Sequence, residues 1–174
     1  MTRAILTCLL LLPLGCAHHP PAVTPADARF QGVQARGAEV MGVDQYSSTH
    51  VFEELPDGGR ILLVRQDTSD AAGTATIRAH LRAVADSFRK GVFTDPAAVH
   101  AMVVPGTATM ARLHDRIGYA MMERPGGGEL RITTMDHEAL DAIREFLAFQ
   151  RMDHRAAGHE GMDHSSMHQP AQTP

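Results

Sequence analysis

The sequence predicts a small α+β domain in which one strand-strand-helix unit occurs twice. Two hairpin turns, Pro56-Asp57-Gly58-Gly59 and Pro125-Gly126-Gly127-Gly128, each lie between two short apolar runs. An apolar stripe with helical spacing follows each hairpin. Because each unit has one apolar sheet face and one apolar helix face, two units side by side would form a four-stranded antiparallel sheet with two helices on one face.

The first unit consists of predicted strands at residues 50–55 and 60–65, followed by a helix. Arg89 and Lys90 lie in the last turn of this helix, and Gly91 is typical of a helix end. The apolar stripe of the helix contains Ile77, Leu81, Val84 and Phe88.

The second unit repeats this order with strands at 117–122 and 129–134. A helix follows with Leu140, Ile143, Phe146, Leu147 and Gln150. A shift of 69 residues places Gly58 on Gly127 and Met41 on Met110, whereas Ile77 corresponds to Ile143 after a three-residue gap. Between the units, residues 95–106 predict a short strand or irregular segment, followed by a helical turn at 107–113.

The two ends of the chain differ from this core, which we assign to residues 41–155. Residues 1–15 have the layout of an export signal, with Arg3 before the apolar run that ends at Leu12. Residues 16–40 predict a flexible tether, because they carry early prolines and no strong period. Residues 156–174 are rich in Gly, His, Ser, Gln and Pro, and they predict a disordered tail that cannot bury enough surface to order itself.

The end of the export signal determines where the protein is expected to reside. Leu14-Gly15-Cys16 resembles the lipobox of bacterial lipoproteins, which implies that Cys16 is acylated and anchors the chain to a membrane. Because Ala17 is not Asp, the resemblance implies the outer membrane, with the domain facing the periplasm. Ordinary cleavage after Ala17 is the alternative, and it would give a soluble periplasmic protein.

Charge and cysteine content narrow the range of partners. The chain of 174 residues has a net charge of -4, so we expect no nucleic-acid partner. Cys8 lies inside the signal, so the mature chain keeps at most Cys16 and cannot form an internal disulfide. A metal-binding protein of this composition must therefore use His and Met as its soft or borderline ligands.

The tail supplies such ligands at high density. Its candidate metal ligands are His154, His159, Met162, His164, Met167 and His168. Copper is favoured, because thioether sulfur suits Cu(I) and imidazole serves copper in both oxidation states, whereas Met is a poor ligand for zinc. The alternative is a solvated polar tail in which these residues are incidental.

Core histidines could form a second metal site, with His50, His80 and His100 as candidates. His80 lies beside the apolar stripe of the first helix, and His154 closes the second helix. If the two helices lie together on the sheet, His80 and His154 could approach one another. The alternative for His80 is a boundary residue with one satisfied ring nitrogen, and the alternative for His154 is a favourable cation near a helix C-terminus.

Two resemblances add to this interpretation. Residues 161–167, Gly-Met-Asp-His-Ser-Ser-Met, resemble the Met/His-rich segments of periplasmic copper-resistance proteins. Residues 41–53, 55–61 and 145–150 resemble an uncharacterised family of small exported proteobacterial proteins. That second resemblance implies an envelope location and transfers no catalytic residue.

We expect the protein not to be an enzyme, since the chain has no Gly-x-Ser-x-Gly elbow and its glycine runs lie between strands. The expected function is an envelope metal-binding lipoprotein that acts as a copper buffer or chaperone in metal tolerance, with a periplasmic metal-handling protein as a possible partner. One alternative is a binding module for a non-metal ligand. The other is a metal-dependent enzyme that uses the core histidines.

Overall fold

The computed structural model describes residues 23–42 and 44–156. Its five α-helices are α1 (Pro25–Met41), α2 (Ala71–Arg89), α3 (Thr94–His100), α4 (Thr107–Arg112) and α5 (His137–Asp153). Its four strands are β1 (Ser48–Leu55), β2 (Gly58–Arg65), β3 (Ile117–Arg124) and β4 (Gly127–Thr134). A 3₁₀ turn precedes each hairpin, at Gln45–Ser47 and at His114–Arg116.

The strands form one antiparallel sheet in the order β1-β2-β4-β3. Helices α2 and α5 pack on it and enclose a common apolar core. The predicted fold class, a duplicated β-β-α unit with a four-stranded antiparallel sheet, is confirmed.

The repeat is regular enough to define equivalent positions. The 3₁₀ turn and both strands of the second unit follow those of the first by the same 69 residues, as the starts of β1 at Ser48 and β3 at Ile117 show. The helices follow at 66 residues, because the equivalent N-caps are Asp70 and Asp136. Each of these carboxylates accepts a hydrogen bond from a backbone N–H of the first helical turn, which stabilises the helix start.

Each helix packs mainly on the hairpin of the other unit. Helix α2 lies chiefly over β3 and β4, whereas α5 lies chiefly over β1 and β2. The central pair β2 and β4 requires close approach at the turns: a Cβ at Gly58, where φ is +145°, would lie 2.2 Å from the carbonyl oxygen of Ile132. This packing of each helix on the hairpin of the other unit, which we call the exchange of helices, brings the end of α5 to β1 and the end of α2 to β3.

Two parts of the sequence-based description need correction. Residues 25–40 were expected to belong to a tether, but they form most of α1, which packs against α3 and buries Val33 and Gly37. The segment 95–106 contains α3 and no strand, although the helical turn expected at 107–113 is present as α4. Both segments have weak apolar periodicity, so their structure depends on tertiary contacts that the sequence pattern does not reveal.

Other predictions fall on residues that the structure does not describe. The export signal, Cys16 and the tail from residue 157 onward lie outside the described residues. Among residues 23–42 and 44–156, no helix is both long enough and apolar enough to cross a bilayer.

Candidate functional site

A cavity of about 80 Å³ lies at the β1 end of the core, where α1 and α3 meet the sheet and the two long helices. Four of the core histidines border it, each from a different element. They are His50 on β1, His80 on α2, His100 at the end of α3 and His154 at the C-cap of α5. The lining otherwise contains mainly apolar side chains, including Val40, Met41, Phe52, Leu63 and Val99.

His50 and His154 form the centre of this site. Their ring centroids are 5.3 Å apart and the ring planes differ by 20°, so the imidazoles are stacked. The ring of Phe52 lies 5.3 Å from His154 and 6.1 Å from His50. The two imidazoles therefore meet in a largely apolar environment, although their residues are far apart in the sequence.

Both rings have a nitrogen without a hydrogen-bond partner among the described residues. These atoms, His50 Nε2 and His154 Nδ1, are buried. A buried polar atom without a partner costs about 1–3 kcal/mol, and a bound water or ion is one way to satisfy it. The hydroxyls of Thr74 and Tyr119 are also buried without a partner among the described residues. The site therefore contains two imidazole nitrogens whose binding capacity the surrounding protein does not use.

The surroundings keep these imidazoles neutral. Burial, with a smaller effect of the nearby His80, lowers the pKa of His50 to about 4. Burial also lowers the pKa of His154 to about 3, with His50 and His100 contributing to the shift. Neutral imidazole is the form that binds metal ions, so near pH 7 no proton needs to leave before a ligand can bind.

His80 borders the same cavity from α2. Burial lowers the pKa of His80, and the nearby Asp95 carboxylate opposes that shift. Asp95 also lines the cavity, as does Met41 at the end of α1. The site thus combines imidazole nitrogens, one carboxylate and one thioether sulfur.

His100 differs from the other three histidines, because both of its nitrogens are engaged. Its Nδ1 donates to Asp153 Oδ2 at 2.6 Å, and its Nε2 lies 2.9 Å from Gln150 Oε1. Arg29 on α1 donates to the other Asp153 oxygen, with an N···O distance of 2.5 Å. Burial opposes ionisation of Asp153, but the hydrogen bonds from Arg29 and His100 hold the pKa of its carboxyl below the usual value.

The hydrogen bonds of His100 to Asp153 and Gln150 hold its ring against that of His154. The ring of His100 meets that of His154 edge-on, with centroids 5.1 Å apart and planes at 88°. With no free nitrogen in this arrangement, His100 positions His154 and is not itself a ready ligand. Arg29 ties α1 to the end of α5 through the same carboxylate, so the network also holds the cavity wall together.

The cavity is better matched to an ion than to an organic molecule. Pockets for drug-sized ligands usually measure about 300–1,000 Å³, several times the 80 Å³ available. No group of three or more His, Cys, Asp or Glu side chains within residues 23–42 and 44–156 is already arranged around a metal position. The rings of His50 and His154 are stacked, so their in-plane lone pairs do not converge on one point unless the rings turn.

The structure thus brings together the predicted core residues His50, His80 and His100 with His154, whereas His159, Met162, His164, Met167 and His168 lie outside the described residues. Sequence reasoning missed Met41, Asp153 and Arg29. Asp153 is adjacent to His154, but its pairing with residues 53 and 124 positions away along the chain leaves no local signal. Met41 was recognised only as the repeat mate of Met110.

Comparisons with known proteins identify no relative: no protein-family model, no curated protein and no solved structure matches the chain.

Proposed function

We propose that this protein is an envelope lipoprotein that binds copper and acts as a buffer or chaperone in metal tolerance. The observation that carries the proposal is the pair of buried, neutral imidazoles of His50 and His154, each with a nitrogen that has no partner among the described residues. Imidazole nitrogen is the commonest protein ligand for transition metals, and a bound ion would satisfy both atoms.

The donor chemistry favours copper over other common ions. Calcium and magnesium need clustered oxygen ligands, and Asp95 is the only carboxylate on the cavity wall formed by the described residues. Zinc is also bound by histidine, but Met41 and the methionines at 152, 162 and 167 add thioethers that zinc does not favour. Copper accepts both ligand types.

His154 connects the cavity to the His/Met-rich tail, which would supply further copper ligands. This residue caps α5 and borders the cavity, and His159 follows five positions later in the sequence. Donors in the tail would start within a short stretch of chain from the cavity. Acylation of Cys16 and exposure to the periplasm complete the proposal, and a periplasmic metal-handling protein is the expected exchange partner.

Copper titration of four matched proteins tests the proposal. The first is the full chain, and the second replaces the tail donors (H159A, M162L, H164A, M167L, H168A). The third carries H50F and H154F, and the fourth combines both sets. We expect the second and third proteins each to lose part of the copper bound by the full chain, and the fourth to lose all of it.

Exposed histidines provide the control, because His137 begins α5 on the surface and H137F should bind as the full chain does. If the combined variant retains the full copper stoichiometry and affinity, the assigned ligands are wrong. If the full chain binds neither Cu(I) nor Cu(II), the copper function is wrong.

A further inference from the structure

Three of the side chains that line the cavity offer uncharged donor atoms. His50 and His154 offer neutral imidazole nitrogens, and Met41 offers a thioether from the adjoining end of α1. The carboxylate on the cavity wall, Asp95, acts electrostatically on His80. A cation bound between His50 and His154 would have neutral ligands. The negative charges around it are Asp95 on the cavity wall and Asp153, which Arg29 already pairs.

A site with neutral ligands and mainly apolar walls favours monovalent over divalent cations. The cost of moving an ion out of water rises steeply with its charge, and neutral ligands in an apolar wall do not compensate a second positive charge. A monovalent ion meets a much smaller penalty in the same place. The cavity therefore disfavours Zn(II) and Cu(II) relative to Cu(I), although all three bind imidazole.

The number and type of the available ligands also favour Cu(I). Structural Zn(II) sites are almost always four-coordinate, and Cu(II) prefers a square-planar set of nitrogen and oxygen ligands. Two unpartnered nitrogens and one thioether fall short of either set, since both nitrogens of His100 are already hydrogen-bonded. Cu(I) accepts low coordination numbers and is the copper state that thioethers favour.

We propose that this cavity is a Cu(I) site in which His50 Nε2, His154 Nδ1 and the sulfur of Met41 bind the ion, with His100 as a positioning residue for His154. The proposal rests on the proposed copper function and adds the oxidation state and the ligands. Binding requires the stacked imidazoles to turn, so that their lone pairs converge on the ion between them. No electron transfer is involved, because Cu(I) enters and leaves in the same state.

The experiment uses the full chain with its five tail donors replaced, so that the cavity dominates the measurement. Cu(I) affinity is measured without oxygen, in competition with the chromophoric chelator bicinchoninate. Cu(II) binding is followed by electron paramagnetic resonance, and Zn(II) binding by competition with a zinc indicator. We expect one Cu(I) per chain and at least about tenfold weaker binding of both divalent ions.

The repeat offers a matched pair of methionine variants. Met41 and Met110 are equivalent under the 69-residue shift, but Met110 is fully buried in the core and does not line the cavity. M41L should weaken Cu(I) binding about tenfold or more, since loss of even a supporting contact at a metal site typically costs 10–100-fold. M110L removes an equivalent sulfur and should leave the Cu(I) affinity unchanged.

X-ray absorption of the Cu(I)-loaded protein tests the ligand set directly. We expect a low-coordinate copper with nitrogen scatterers and one sulfur scatterer, and no sulfur in M41L. D153N tests the positioning role of His100: it should weaken Cu(I) binding while the absorption spectrum keeps the same nitrogen and sulfur ligands.

The possible outcomes separate this inference from the function on which it rests. If Zn(II) or Cu(II) binds the cavity as tightly as Cu(I), the site is a metal site but the Cu(I) assignment is wrong. If only the tail-containing protein binds copper, the copper function stands and the cavity assignment is wrong. If no form binds copper, both proposals are wrong.

Discussion

The two ends of the core occupy equivalent places in the repeat but contain different side chains. At one end, the last turn of α2 places Phe88 against Tyr119 on β3, with ring centroids 5.6 Å apart. At the other end, α5 places His154 against His50 on β1, at 5.3 Å. The shifts of 69 and 66 residues relate Tyr119 to His50 and Phe88 to His154, and they also relate Phe146 to His80.

The difference shows what each end contributes. Phe88 and Phe146 are each 1% exposed and meet edge-to-face, and both border the same cavity from the aromatic side. The buried Tyr119 hydroxyl at this end also has no hydrogen-bond partner among the described residues. At the histidine end, the cavity is bordered by two imidazole nitrogens without a partner among the described residues. Since the same backbone can carry aromatic rings at these places, the histidines are not required by the fold. A local loss of stability at such positions is typical of functional sites.

Introducing a histidine at the aromatic end should produce the largest effect. F88H copies His154 into the equivalent position, and there it exchanges a fully buried phenyl ring for a polar ring without a partner. We expect the free energy of unfolding to fall by about 3 kcal/mol, as measured by urea denaturation. F88L is the control, because it removes the phenyl ring without adding a polar atom. Equal losses in F88H and F88L would mean that polarity is not the cause.

Bound copper should stabilise the histidine end by a comparable amount. With free Cu(I) buffered at about 100 times its dissociation constant, the free energy of unfolding should rise by about 2.7 kcal/mol. The measurement uses the tail-substituted protein, and chelation should remove the gain. The H50F/H154F double variant in the same background should show no gain. A gain of the same size in that variant would place the stabilising ion elsewhere.

Acid should selectively weaken the metal-free histidine end. Burial lowers the pKa of His50 to about 4 and that of His154 to about 3, whereas both titrate near 6.5 in the unfolded chain. The unfolded state therefore binds more protons below about pH 6.5, and stability is lost as the pH falls from there toward the folded pKa values. The ionisable groups that face these rings are His80, Asp95, His100 and Asp153.

The expected loss in the metal-free protein is roughly 2.7 kcal/mol between about pH 7.5 and about pH 5.5. Carboxylates with lowered pKa values do not contribute in this window, because they remain ionised in both states. The H50F/H154F variant should lose most of this dependence and keep only the smaller contribution of His80, whose pKa burial also lowers. A profile as steep as that of the parent would show that these two imidazoles are not the groups that take up protons on unfolding.

Much of the fold follows from local patterns, because each hairpin is fixed by its turn and each long helix by its apolar stripe. Gly58 and Gly127 anchor the repeat, so the strands lie where the 69-residue shift places them. Helix α1 was missed, although Thr24 as N-cap, Pro25 in the first turn and Asp27 two residues later form a helix-start signal. Its weak apolar pattern concealed a helix that packs mainly on α3.

The site was predictable only in part. His50, His80, His100 and His154 were recognised as candidates, but their meeting depends on the exchange of helices between units, which no local pattern encodes. The engagement of His100 with Asp153 and Gln150 also depends on that packing. Applying the repeat shift to each histidine would have revealed that three of them replace aromatic residues of the other unit.

The smallest predicted effect gives the most direct test of the comparison between the two ends. H154F inserts the ring that the equivalent Phe88 already provides, and it removes the unpartnered Nδ1. We expect the free energy of unfolding of the metal-free protein at pH 7.5 to rise by about 1 kcal/mol.

The control for this gain is H137F at the exposed start of α5, where the change should stay within about 0.5 kcal/mol. A gain in stability together with loss of Cu(I) binding would mean that His154 is retained for the ion at the expense of stability. A loss of stability in H154F would instead mean that the stacked pair of His50 and His154 itself supports the fold. The unpartnered nitrogen would then no longer indicate a ligand.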